Sequence, residues 1–401
     1  VGVKRTTGQH AGGVMILPKG RSIYEFTPTQ YPADDKTSTW LTTHYEYRAI
    51  HDSLLKLDLL GHVDPLALRL MSELTGIDVH DIPTNDKDVI SIFTSIRALK
   101  MSSNVLNAKT GSLAIPEFGT ATAIQTLVET QPHSFADLVI ISGLSHGTGV
   151  WAGNAEQLIV SGQKTLQEVI GCRDDIMNSL SEWGIDKRDA FQIMEFVRKG
   201  GPTKKPGEWP KWKQILIDHN IAQWYIDSCE KIEYMFPKAH AVAYVTQAIR
   251  VAYYKVYYPL EFYSVWFTAR AKAYEIKTML GGLDAIVNRY KELQAKDASR
   301  TEELSPKEEG VMAMLKIAIE MHERGFRFEN IDLYKSKATE FVVDHENKAL
   351  ICSFTSLDGL GEAAAQSVVD ARQEREFTSQ EDLLKRTKLS QTIVKELGEL
   401  G

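Results

Sequence analysis

The chain has 401 residues, 43% hydrophobic and 25% charged, with a formal net charge of −7. That length favours two or three domains over one core, and no apolar run approaches the roughly 20 residues that a membrane span needs. Cys172, Cys229 and Cys352 stand far apart, which excludes a zinc-ligand spacing and suits a reducing cytoplasm.

The chain opens on Val1 with no apolar stretch of signal-peptide type, so it is expected to begin inside a longer protein. Residues 1–65 read as strands and turns. Val14-Met15-Ile16-Leu17 and Leu54-Leu55-Lys56-Leu57-Asp58-Leu59-Leu60 are short apolar runs bounded by Gly and Pro, as buried strands of a mixed sheet are. On a strand, Lys56, Asp58 and Leu60 share one face. A carboxylate among such neighbours must be solvated, paired or metal-bound. Asp58 is therefore either the ion-pair partner of Lys56 or one ligand of a magnesium ion, which takes few protein carboxylates besides water and phosphate.

From Pro65 to about residue 300, apolar residues recur at helical spacing in 66–75, 121–129, 189–199, 240–258 and 276–295. Ile141-Ser142-Gly143-Leu144-Ser145-His146-Gly147-Thr148 reads as a polar, glycine-containing loop, either an ordinary turn or a place where backbone approaches a phosphate. Arg173, read from the residues alone, is half of a salt bridge within its own helix. Residues 194–216 carry Arg198, Lys199, Lys204, Lys205, Lys211 and Lys213 against Glu195 and Glu208, so a basic face on an acidic protein competes with a solvated loop. Lys204 and Lys205 are its candidate DNA contacts. In Phe236-Pro237-Lys238-Ala239-His240-Ala241-Val242-Ala243-Tyr244, Pro237 suits a helix start. Lys238 then sits at the positive helix end, and His240 and Tyr244 share a face. A cation and ring faces together suit a triphosphate and a base; a packed core helix is the alternative.

A helix is predicted from Lys307 to about Arg324, a β-hairpin over Glu340–Ile351, and helices again over 357–401. Gly359-Leu360-Gly361 makes a tight turn ahead of a helix, either a simple cap or a backbone cradle for DNA phosphate.

Three stretches carry a family resemblance: Gly8–Gly13 with Leu55–His62, Ile141–Thr148, and the Lys-x-His-x-x-x-Tyr of 238–244. They resemble the PolC-type alpha subunits of bacterial replicative DNA polymerases of family C, found in Gram-positive bacteria. The resemblance implies an α+β, mostly helical protein with a small mixed-sheet palm segment (1–65), large helical fingers (66–300) and a duplex-binding domain (301–401). The last would hold a helix–hairpin–helix at about 355–401. It implies Asp58 as the third catalytic aspartate, binding Mg²⁺ with an Asp-x-Asp pair that this chain lacks ahead of Asp58. It places Lys238 near phosphate, His240 and Tyr244 near base and sugar, and Ser145, His146 and Arg173 around the nucleotide. It gives Gly359, Leu360 and Gly361 contacts to DNA. The implied reaction is Mg²⁺-dependent addition of dNTPs to a primer 3′ end. With part of the palm missing, the chain by itself is expected to be inactive; the alternative is a DNA- and dNTP-binding module. Expected partners are template–primer DNA, dNTP and the rest of the polymerase, with the sliding clamp and other replisome subunits joining the full protein. No clamp-binding peptide stands in this chain, and the expected setting is cytoplasmic with no membrane partner.

Overall fold

A computed structural model describes residues 8–299 and 303–401. The domain ranges expected from sequence run into residues 1–7 and 300–302, which lie outside the described residues. The chain divides into two compact units with the boundary after Val63.

The first unit holds four short strands: β1 (Gly13–Ile16), β2 (Thr29–Gln30), β3 (Thr42–Thr43) and β4 (Leu55–Asp58). β1 pairs antiparallel with β4, and β2 with β3. The two apolar runs expected as strands are β1 and β4. The register sets Val14 opposite Leu57 and Ile16 opposite Leu55, so these four side chains share one face. All four are exposed, Leu55 at 62%. Met15, Lys56 and Asp58 take the other face. A two-stranded ribbon with a bare apolar face is marginal by itself and completes its core only when another layer or further strands cover it.

The second unit is helical. It contains α1 (Val63–Thr75), α2 (Lys87–Ser91), α3 (Ala121–Thr130), α4 (Phe135–His146), α5 (Glu156–Val160), α6 (Arg173–Glu182), α7 (Lys187–Val197), α8 (Gly201–Lys204), α9 (Trp209–Asp218) and α10 (Gln223–Lys231). The long α11 (Lys238–Tyr257) and α12 (Pro259–Ala269) follow, then α13 (Ile276–Leu280), α14 (Gly282–Ser299) and α15 (Pro306–Glu323). α4 is apolar on nearly all sides, as a helix enclosed by others must be. Ser134 caps it by accepting the Asp137 N–H. α11 packs beside α4 and buries Ala241, Val245, Ala248, Ile249 and Ala252. Ser305 and Glu308 form a complete capping box at the start of α15, with Pro306 in its first turn.

Burial of Lys255 ties the centre together. Its ammonium donates to the carbonyls of Gly111 and Leu113 and pairs with Glu320 of α15 at 2.8 Å. The Tyr263 hydroxyl donates to the same carboxylate at 2.7 Å. Each charge is thus compensated, as a fully buried pair requires. Burial pulls the ammonium down to about 8, with the Glu320 charge opposing the fall.

At the C-terminal end, β5 (Arg327–Glu329), β6 (Val342–Asp344) and β7 (Ala349–Ile351) form one sheet in the order β5-β7-β6. The expected hairpin is β6–β7; β5, parallel to β7, is not legible in the sequence because the alternation in Arg-Phe-Glu is only three residues long. Helices α16 (Glu362–Glu374), α17 (Gln380–Arg386) and α18 (Gln391–Leu400) complete the unit. The protein is therefore α+β and mostly helical. No helix among the described residues is long and apolar enough to cross a membrane.

Candidate functional site

Asp58 ends β4, and its carboxylate lies 3.0 Å from the Lys56 ammonium with nearly half of its side chain exposed. Lys56 also sits 5.1 Å over the ring of Tyr47. The ion-pair alternative read from the sequence is thus present in the fold. Among the described residues no group of three or more His, Cys, Asp or Glu side chains is placed to hold a metal. One carboxylate already paired with lysine does not by itself make a magnesium site.

The second unit builds a larger constellation where α4, α6, α7 and α11 meet. Of the loop predicted at 141–148, residues 141–146 are instead the last turns of α4, while Gly147 ends the helix and Thr148 bridges to Tyr234. Gly143 is there for closeness rather than for a turn: a Cβ on it would stand 2.5 Å from the Gly171 carbonyl oxygen. Removing that Cβ lets α4 lie directly against the segment leading into α6. The helix then delivers His146 at its end, beside His240 and Tyr244 of α11. Ring centres are 5.5 Å apart for His146 and His240, 6.0 Å for His146 and Tyr244, and 4.6 Å for His240 and Tyr244. Phe236 stacks on His240 at 4.7 Å, and Tyr234 meets Phe236 edge-on. Ser145 is exposed on the same helix end, its hydroxyl donating to the Ser142 carbonyl.

The two imidazoles are driven in opposite directions. His146 Nε2 lies 2.9 Å from a carboxylate oxygen of Glu117, and Nδ1 lies 2.6 Å from the Ser142 carbonyl oxygen. Both partners are acceptors, so both ring nitrogens donate and the ring is held as a cation. The Glu117 hydrogen bond raises its pKa, outweighing burial. His240 is lowered by burial first and then by the His146 charge. The ring more readily protonated thus stands beside one less readily protonated within a small aromatic wall.

Around this wall the cations share few carboxylates. Glu195 of α7 pairs with Arg198, 2.8 Å from Nη2, and with Lys199 at 2.9 Å, while Arg173 of α6 stands 4.0 Å away. The Arg198 hydrogen bonds hold Glu195 down to about 2. Three cations on one carboxylate leave surplus positive charge. Arg173 thus pairs across to a neighbouring helix rather than within its own, as the sequence alternative supposed. The extended segment before α11 binds these parts by backbone: the Arg173 N–H donates to the Phe236 carbonyl, and the Met235 N–H to that of Arg198.

The positive end of α11 is already used. The Lys238 N–H donates to the Asp174 carboxylate at 2.6 Å, and the Lys238 ammonium lies 3.6 Å from Asp175. The helix end therefore offers its lysine side chain rather than its free amides. Lys204 donates to the carbonyls of Lys199 and Glu233, and Lys205 makes an exposed pair with Glu208. Sequence reasoning missed Glu117, Asp174 and Asp175 as partners and Phe236 as a stacking ring. Nothing near Glu117 signals its role, since only the tertiary fold carries it to His146.

At the C-terminal end, Gly359 has φ +79°, in the left-handed region, while Gly361 has φ −75° and caps α16 from open space. The special backbone is therefore at Gly359, and Leu360 between them is buried. Asp358 is paired with Lys307 at 2.7 Å. Arg386 is spent inside the unit on Asp382 and the Ala371 carbonyl; Lys385 and Lys388 are exposed.

Comparison with known proteins follows the same order along the chain. Residues 1–61 match the bacterial DNA polymerase III alpha NTPase domain, 64–220 the bacterial DNA polymerase III alpha subunit finger domain, and 325–401 a helix-hairpin-helix motif. The whole chain is 50% identical to the PolC-type DNA polymerase III of Oceanobacillus iheyensis over 400 residues, covering 27% of that protein. The chain belongs to the PolC-type DNA polymerase III family. Relatives of that family in Bacillus subtilis and Mycoplasmopsis pulmonis are 49% and 50% identical, each over all of this chain and over 27% and 28% of their own length. The chain thus spans about a quarter of the PolC-type relatives it matches.

Proposed function

We propose that this chain carries part of the active centre of a DNA-directed DNA polymerase that adds dNTPs to a primer 3′ end under template direction. The observation that carries the reading is the meeting of His146, His240 and Tyr244 with Arg173, Arg198, Lys199 and Lys238 in one helical unit. The rings of Tyr244 and His240 offer flat faces to base and sugar, with Ser145 and His146 at the rim. The cations take the triphosphate, Lys238 exchanging Asp175 for a phosphate oxygen and Arg173 turning its guanidinium from Glu195. Because Asp174 occupies the first amide of α11, recognition falls to side chains more than to the helix end.

In this reading residues 1–65 are a palm segment, 66–300 the fingers and 301–401 the duplex-binding domain. The bare apolar face of β1 and β4 supports a sheet continued by the rest of the polymerase. Asp58 binds Mg²⁺ together with carboxylates from outside this chain, and the metal supplies charge neutralisation at the reacting oxygens. Gly359, Leu360 and Gly361, with Lys204 and Lys205, contact template–primer DNA without reading sequence. The setting is the cytoplasm, with the sliding clamp and other replisome subunits as partners of the whole polymerase.

A second reading, a DNA- and dNTP-binding module without catalysis of its own, is favoured by the single carboxylate at Asp58. Primer extension by this chain, with and without the remainder of the polymerase, separates the two. Within the complete polymerase, Lys238→Ala is expected to raise the apparent KM for dNTP, and Tyr244→Ala to weaken nucleotide binding. Normal KM values with altered melting alone would reduce both residues to core packing.

A further inference from the structure

A second basic concavity lies in the helical unit, away from the site above. A cavity of about 510 Å³ opens between the 85–97 segment and the turn that enters α4. Asn85, Lys87, Arg97 and His133 line it, with Ser91 and Ser95 between them. No Asp or Glu does, although the chain as a whole is acidic. Of the neighbouring carboxylates, Asp86 is spent on the Val89 N–H and the Tyr257 hydroxyl, and Asp137 on the His133 N–H and the Gln167 amide. Among the described residues, the side chains of Asn85, Lys87, Arg97 and His133 make no hydrogen bond or ion pair. Ile90 and Phe135 give the cavity an apolar wall.

We propose that this cavity binds a phosphate group at a site separate from the nucleotide site, using Lys87, Arg97, His133 and Asn85. The separation follows from helix lengths. Ser134 and His146 mark opposite ends of α4, whose 12 residues span about 18 Å. Tyr257, which holds Asp86, ends α11, and Lys238 begins it; 20 residues span about 30 Å. One bound nucleotide at His240 and Lys238 does not reach across that distance. Two unpaired cations, an imidazole and an amide converging without a carboxylate match the charge and the several acceptor oxygens of phosphate. The group has two sources: the backbone of single-stranded DNA, or free phosphate.

The test uses the full chain, a labelled oligothymidylate of about 12 nucleotides and inorganic phosphate. The variant is Lys87→Ala with Arg97→Ala. Both residues are exposed, and a melting curve matching the parent confirms folding. The control removes two exposed cations elsewhere, Arg69→Ala with Lys291→Ala. The Lys87/Arg97 variant is expected to bind the strand about tenfold more weakly, with a salt slope smaller by about 1.4, the value for two phosphate contacts on a single strand. The control is expected to change little. Inorganic phosphate is expected to shift the His133 imidazole resonance in the parent and not in the variant. Loss of strand binding assigns the cavity to DNA backbone, and loss of the phosphate shift alone assigns it to the free ion. Lys87→Arg with Arg97→Lys, which keeps both charges, retains binding in either case. Unchanged strand affinity together with an unmoved His133 signal, or an equal loss in the control, overturns the proposal.

Discussion

Replacing Glu117 by Gln keeps the shape of the side chain and removes its charge, so it isolates the pairing that holds His146 protonated. The two side chains are 24% and 22% exposed, between a solvent-screened pair and a buried one. Exposed pairs contribute up to about 1 kcal/mol, and hydrogen bonds to charged groups about 1.5–3 kcal/mol; about 1–2 kcal/mol is expected here. The sign with pH is fixed by the direction of the shift. His146 is raised above its ordinary 6.5, so its contribution is complete below that value and is lost as pH rises through the folded-state pKa. Glu117→Gln is therefore expected to cost most below pH 6.5 and progressively less as pH rises through the folded-state pKa of His146. Urea unfolding of the parent and variant at several pH values reads the cost, and histidine proton NMR reads the titration of His146 directly. The variant's His146 should titrate lower than the parent's. Equal destabilisation at both ends of the pH range, or one titration midpoint for both proteins, would refute the pairing as the cause.

Three further outcomes are expected. In the complete polymerase, Asp58→Asn should abolish primer extension while DNA affinity, read by anisotropy, stays near normal; near-normal turnover would remove Asp58 from the metal site. Gly359→Val should cost about 1–2 kcal/mol, the penalty of a left-handed backbone for a side chain, and should weaken duplex binding by the chain across a salt titration. Gly361→Val meets open space and should cost less; a larger loss at 361 than at 359 would contradict the turn geometry. Lys255→Met should destabilise by about 3–5 kcal/mol because the buried Glu320 carboxylate loses its cation. Adding Glu320→Leu should recover much of that in urea midpoints, and failure to recover would show that the carbonyls of Gly111 and Leu113 are the larger part.

Much of this protein was set by the chain's local pattern. The apolar runs at 14–17 and 54–60 became β1 and β4, and helical spacing marked α1, α3, α7 and most of α11 because burial of one stripe is a local property of a helix. The four-residue spacing of His240 and Tyr244 put their rings on one face without help from the rest of the fold. Pro237 set the start of α11 in the same way. Partners distant in the chain were decided only by tertiary structure. The stretch holding Ser145 and His146 reads as a loop because its glycine looks like a turn; it is helix, and Gly143 serves instead the close approach to the Gly171 carbonyl of another segment. The helix end at Lys238 reads as an anion site, yet the fold brings Asp174 to it. Asp58 and Lys56 are placed by alternation on one strand, which a sequence states, whereas the charge of His146 depends on Glu117, which it does not. Alternation and helical period act between neighbours in the chain, while charge pairing and close backbone approach act between neighbours in space.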